Sequence, residues 1–180
     1  MKTNPTTYVA FLRGINSGKN PNTKMDVLKK AFEDLGFKNV KTVIASGNVI
    51  FETSATDKTK IAQKIEKGLT PVIGFHSDTI VRTIDEIQAL VKKNPFKKIK
   101  VTPETRLYVT FIAGEEKTSL KFPVEGKGYT ILGIFNEAVC SVIYLAETKT
   151  PDLMKVLDKN WSPNTTRNWN TLERILKAAQ

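Results

Sequence analysis

The sequence predicts an α+β protein assembled in two parts. Three observations carry that expectation. Short β-branched and aromatic runs alternate with segments whose apolar residues recur every three or four positions, so strands and helices are interleaved. The alternation halts after Val91 at a stretch with two prolines and five lysines, Lys92–Glu104, and then starts again. With 40% hydrophobic and 26% charged residues, the 180-residue chain has the composition of an ordinary globular protein.

The first strand is TYVAFLR, Thr7–Arg13, and the Gly, Asn, Ser and Pro cluster GINSGKNPNT after it is loop chemistry. KMDVLKKAFEDLG sets Met25, Leu28, Ala31, Phe32 and Leu35 on one helical face. Thr23 with Asp26 three residues on resembles a capping box, and Gly36 suits the helix stop. VKTVIA and NVIFET are the second and third strands, separated only by SGN, which predicts a tight hairpin. Ile61, Ile65 and Leu69 stripe a second helix, and DTIVRT is a fourth strand. Thr83 and Glu86 form another capping-box pattern, opening a short helix with Ile84, Ile87, Leu90 and Val91 inward. The order through Thr83 is β-α-β-β-α-β, the ferredoxin-like pattern of an antiparallel sheet with two helices on one face.

In the second part, RLYVTFIA is a strand and GEEKTSL reads as a short helix. YTILGIF and AVCSVIYL flank Asn136-Glu137 as a hairpin. Thr150-Pro151 suits a helix start with proline at the first helical position, and Leu153, Val156 and Leu157 give that helix an apolar side. TTRNWNTLERILKAAQ is read as a helix whose face is Trp169, Leu172, Ile175, Leu176 and Ala179. The expected division is a ferredoxin-like subdomain over 1–92, a basic connector over 93–104, and a divergent β-α-β-β-α subdomain with a terminal helix over 105–180. The connector reads either as a solvated linker or as a basic contact surface.

Composition narrows the chemistry. A single cysteine, Cys140, excludes an internal disulfide and sits between apolar strand neighbours, the setting of a buried thiol. One histidine and one cysteine exclude zinc sites of the Cys/His type, and neither a metal nor a cofactor is expected. No apolar run approaches the roughly 20 residues of a membrane span, and MKTNPTTYVA has no signal core, so a cytoplasmic location without a membrane partner is expected. GINSGKN departs from a nucleotide-binding P-loop, with three residues between the glycines instead of four and Asn20 after Lys19. The formal charge is +10, which attracts phosphates, so phosphate-bearing ligands and nucleic acid are the expected partner classes. The charge is dispersed lysine, however: 13 basic and 9 acidic residues fall in the first ninety, 15 and 9 in the second. Such dispersion also serves solubility alone.

Topology points to one place where groups converge. In a β-α-β-β-α-β unit, the end of the first strand, the turn between the second and third, and the start of the fourth share one sheet edge. That edge collects Arg13, Gly14, Asn16, Lys19 and Lys24 from the first loop, Ser46, Gly47 and Asn48 from the hairpin, and His76 and Ser77 from the approach to the fourth strand. A guanidinium fork, lysines, loop amides and a helix N-terminus suit a phosphate or carboxylate. Each residue also has a plain structural use: glycines in turns, Asn48 in the hairpin, Arg13 on a structural carboxylate, His76 at a strand end. A second polar cluster, Arg167, Asn168 and Asn170 around Trp169, exceeds what helix capping needs. It reads as part of a site or as a lock for the last helix.

FLRGIN, KMDVLKKAFEDLGFKNVKTVIASGNVIF and TTRNWNTLERIL together resemble a bacterial family, domain of unknown function 1697 (DUF1697). The resemblance is strongest at Phe11–Asn16, Lys24–Phe51 and Thr166–Leu172. Where the family pattern often has a second glycine after Gly18, this chain has Lys19, which adds charge and removes flexibility. The resemblance implies a two-part α+β fold with a ferredoxin-like first part, and implies no activity. It groups Arg13, Gly14, Asn16, Lys24, Ser46, Gly47, Asn48, Arg167, Asn168 and Trp169 as one set. Three functions stay open from sequence: an anion-binding protein, an enzyme on a small phosphorylated or acidic substrate with His76 as base, and an interaction module in which RGIN and RNWN only join the halves. The oligomeric state is not set by any of these features.

Overall fold

A computed structural model of the protein describes residues 3–114 and 117–180. The chain forms two units: one reaches Gln88 and also takes in Arg174–Gln180, the other is Ala89–Glu173.

The first unit contains β1 (Thr6–Leu12), α1 (Met25–Asp34), β2 (Lys38–Val43), β3 (Asn48–Thr53), α2 (Lys58–Ile73) and β4 (Thr79–Thr83), after which α3 (Ile84–Lys93) starts. The sheet order is β2-β3-β1-β4 with every pair antiparallel, the ferredoxin-like arrangement. Tyr8, Ala10 and Leu12 of β1 join Leu28 and Phe32 of α1 and Ile65 and Leu69 of α2 in one core. Val9 and Phe11 between them are fully buried too. A strand covered on both faces reads as an unbroken apolar run, which is why TYVAFL does not alternate.

Helix starts follow local chemistry, with one correction. At α3 both capping-box bonds form: the Thr83 N–H donates to Glu86 Oε2 (2.7 Å) and the Glu86 N–H to Thr83 Oγ1 (3.1 Å). At α1 the expected Thr23–Asp26 box does not. Lys24 occupies the cap position with no side-chain bond, and Asp26 Oδ1 accepts from its neighbour Val27 (2.9 Å). The reason is the Asn16 carboxamide, which accepts from the Thr23 N–H (2.7 Å) and donates to the Thr23 carbonyl (3.0 Å). That grip holds Thr23 outside the helix, with its hydroxyl buried and unpartnered among the described residues. The hairpin also differs from expectation. β2 stops at Val43, and Ile44–Gly47 make a longer turn in which Ile44 (φ 61°) and Gly47 (φ 84°) are both left-handed.

The second unit contains β5 (Thr105–Ile112), β6 (Val124–Gly126), β7 (Tyr129–Phe135), β8 (Ala138–Tyr144), α4 (Leu153–Asn160) and β9 (Asn164–Asn168), leading into α5 (Trp169–Ala178). Its antiparallel sheet runs β6-β7-β8-β5-β9. Ile112, Ile131, Val139 and Ile143 pack with Leu153 and Leu157 of α4 and with Trp161. The Asn136-Glu137 hairpin forms as expected, both residues left-handed.

Four expectations are corrected here. The short helix read from GEEKTSL falls partly on Glu115 and Glu116, outside the described residues; Lys117–Leu120 are not helical, and the small strand β6 follows instead. Among the described residues the unit therefore shows no helix after its first strand, where a β-α-β-β-α order requires one. Helix α4 starts at Leu153 rather than Pro151, after a Thr150 N–H to Thr148 Oγ1 bond (3.3 Å) shapes the approach. The last helix is shorter than read, because Asn164–Asn168 are strand β9, paired with β5 from Ile112↔Asn164 to Tyr108↔Asn168. Thr165 and Thr166 are β-branched, and the Thr110 and Thr166 hydroxyls bond at 2.8 Å across the pair. Finally, the basic stretch before β5 is not wholly solvated. Phe96 is buried, its ring edge-on to Trp169 at 5.1 Å. Among the described residues no helix is long and apolar enough to cross a membrane.

Candidate functional site

In the first unit the strand order places three segments at one edge, and hydrogen bonds tie them together. The β1 end is joined to the approach to β4: the Arg13 N–H donates to the Asp78 carbonyl (3.0 Å) and Ser77 Oγ donates to the Arg13 carbonyl (2.7 Å). The β1 end is joined to the hairpin by the Leu12 N–H on the Gly47 carbonyl (2.9 Å). Asn16 joins the first loop to the same hairpin, because its Nδ2 donates to the Ala45 carbonyl (2.8 Å) as well as to Thr23. Arg13, Gly14, Asn16, Ser46, Gly47, Asn48, His76 and Ser77 are thus on one connected frame.

The frame uses up most of its amides. Both N–H bonds of the Asn16 side chain end on backbone carbonyls. Asn48, fully buried, donates to the Val43 carbonyl (2.9 Å) and to Ser46 Oγ (3.1 Å). Gly14, left-handed at φ 84°, accepts from Asn20 Nδ2 (3.1 Å). Gly47 is packed against Ile15 and Leu12. Asn16 and Ser46 of the frame are exposed, and so are the cationic Lys19 and Lys24, while Arg13 is half-buried. His76 is exposed as well, its Nε2 3.1 Å from Asp78 Oδ1. Glu66 stands close by, with its Oε1 accepting from the buried Thr79 N–H (2.9 Å).

Arg167 and Asn168 belong to the second unit, and strand alternation sends them opposite ways. Arg167 is buried, with Nη1 donating to Thr165 Oγ1 (2.7 Å) and to the Thr166 carbonyl (3.0 Å), and burial pushes its pKa down to about 10. Asn168 is exposed and lines a cleft of about 370 Å³. Trp169 and Asn170 share that cleft, together with Arg106, which the sequence reading did not single out. The only signal for Arg106 was its place at the head of RLYVTFIA, and nothing in the sequence showed that β9 would lie beside that strand. Cys140 is buried in β8 and desolvation pushes its thiol up to about 12, far from a nucleophile.

A family profile described as "Protein of unknown function (DUF1697)" matches residues 6–125. Among curated proteins there is no match. A solved structure, of the conserved bacterial protein SP0830 from Streptococcus pneumoniae, is similar over 98% of this chain and 100% of its own, with a TM-score of 0.68 and 21% identity. At that identity the likeness shows a shared fold. A profile spanning most of the chain, on a fold shared with a conserved bacterial protein, makes this chain a member of the DUF1697 family of proteins of unknown function.

Proposed function

We propose that the protein is a cytoplasmic binding protein for a phosphate-bearing ligand, held at the first unit's sheet edge by Arg13 with Lys19 and Lys24. The observation that supports this is the hydrogen-bonded frame of Asn16, Asn48 and Ser77, which holds three distant segments at one edge beside three cationic side chains. A frame fixed before binding spares the ligand the cost of ordering loops. An arginine adds a planar fork for two phosphate oxygens, and the lysines add point charges. The α1 N-terminus has no side-chain cap at Lys24, so the Met25 and Asp26 N–H groups add the same preference, while that of Val27 is already bonded to Asp26 Oδ1.

The test is a panel of nucleotides and short oligonucleotides titrated against parent protein and Arg13→Ala. Binding at least tenfold weaker in the variant is expected; equal binding sinks the assignment. If oligonucleotides prove the better ligands, affinity should fall steeply with salt, one increment of slope per phosphate contacted.

The His76–Asp78 pair favours a second reading. A carboxylate beside an imidazole orients the ring, an arrangement a general base can use. That reading makes the protein an enzyme on a small phosphorylated or acidic substrate. His76→Gln would then abolish turnover with binding kept, and a broad substrate screen without turnover would count against it.

A further inference from the structure

The second unit spends its polar side chains differently from the first. Around the cleft where β5 and β9 meet, Asn168 and Asn170 are exposed and neither carboxamide has a partner among the described residues. Arg106 is also exposed. Its Nη1 donates to the Pro103 carbonyl (2.7 Å) and the Thr105 carbonyl (3.0 Å), while Nε and Nη2 make no bond among the described residues. An arginine pinned on one side and open on the other is a fork fixed in place. The register explains the meeting: Asn168 pairs opposite Tyr108, and Arg106 lies two residues along β5 on the same face of the strand.

The rest of the wall is Thr105, whose hydroxyl is bonded to Thr102, and three apolar residues. Val101, at 61% exposure one of the large hydrophobic side chains left in solvent, lines the cleft with Leu107. Trp169 is buried against Phe96 and fixes the cleft's base. No carboxylate lines the cleft, and the first turn of α5 carries no acidic residue. The volume of about 370 Å³ falls in the range of small-ligand sites, about 300–1,000 Å³.

We propose that this cleft is a second binding site, separate from the first unit's edge, and that its ligand is a nucleoside monophosphate. Arg106 takes the phosphate through Nε and Nη2. The Asn168 and Asn170 carboxamides, each both donor and acceptor, pair with the edge of the base or with ribose hydroxyls. Val101 and Leu107 cover the base's apolar face.

The experiment is calorimetric titration of the full chain with the four common nucleoside monophosphates, the matching nucleosides and inorganic phosphate. One of the monophosphates is expected to saturate at one per chain. Its nucleoside and free phosphate should each bind at least tenfold more weakly. Arg106→Ala should weaken binding at least tenfold. Asn170→Asp, which leaves the Arg106 backbone bonds untouched and adds a repelling carboxylate, should do the same. Circular dichroism of each variant confirms that it is folded. Arg13→Ala should leave this binding unchanged, which separates the two sites. The proposal is overturned if no monophosphate saturates, if both cleft variants bind like the parent, or if binding is lost in Arg13→Ala and kept in Arg106→Ala.

Discussion

Replacing Gly47 with alanine tests whether the hairpin turn is seated on the end of β1. Two costs follow from the geometry. The backbone at Gly47 is left-handed, φ 84°, where an L side chain costs about 1–2 kcal/mol. The added Cβ would also stand 2.8 Å from Ile15 Cγ1, 3.0 Å from Ile15 Cβ and 3.1 Å from Leu12 Cβ. These are branched, buried atoms at the core's edge, so relief requires repacking, about 1–3 kcal/mol. The sum is about 2–5 kcal/mol. Gly18→Ala is the internal control: its φ is 60° and nothing lies within 4 Å of the added carbon, so it meets only the conformational cost, about 1–2 kcal/mol. Urea unfolding followed by far-ultraviolet circular dichroism reads the difference. With m of about 2 kcal/mol/M, the midpoint should drop by about 1–2.5 M for Gly47→Ala and by about 0.5–1 M for Gly18→Ala. Equal drops in the two variants would refute the close packing of the turn against β1.

Three further outcomes are expected. Asn16→Asp keeps the acceptor for the Thr23 N–H but replaces the donor nitrogen with one oxygen facing both the Thr23 and Ala45 carbonyls, so stability should fall by about 1–3 kcal/mol in the same urea assay. For Glu86, burial opposes ionisation, but the Lys58 bond at 2.6 Å and the Thr83 N–H outweigh it and hold the carboxyl below its ordinary value of 4.5. Its folded pKa is depressed, so its stabilisation is present above pH 4.5 and fades as pH falls further. Lys58→Met should therefore cost no more than about 1 kcal/mol at pH 7, since a third of each side chain is exposed, and still less in acid. Cys140 should not react with an aromatic disulfide reagent in the native protein at pH 8, and should react fully, one thiol per chain, once the chain is unfolded in guanidinium.

The ferredoxin-like half was legible because its signals are local and agree. The unbroken TYVAFL run, the Ile61–Ile65–Leu69 stripe and the Thr83–Glu86 box each name their element, and the order then dictates the sheet. The failures come where a distant partner decides. Thr23 looked like a cap, but Asn16 had already taken its backbone. TTRNWN looked like the first turns of a helix; β5 claimed it as a strand, which no periodicity over five residues can show. The convergence of Arg13, Asn16, Ser46, Asn48 and Ser77 followed from topology alone. What the sequence could not say was how each amide is used. Asn16 and Asn48 are bonded to backbone carbonyls that hold the frame, while Asn168 and Asn170, with the same side chain, stand open on a cleft.

The division of the chain has a consequence for its synthesis. Because Arg174–Gln180 belong with the unit that otherwise ends at Gln88, the first unit is interrupted by the whole of the second. A ribosome adding about 5–20 residues per second takes roughly 4–17 s to make Ala89–Glu173. During that time the early sheet waits without its final segment, including the carbonyl of Ala178 that receives Lys41 Nζ at 3.2 Å. The order of translation therefore leaves the first-made unit to be finished last.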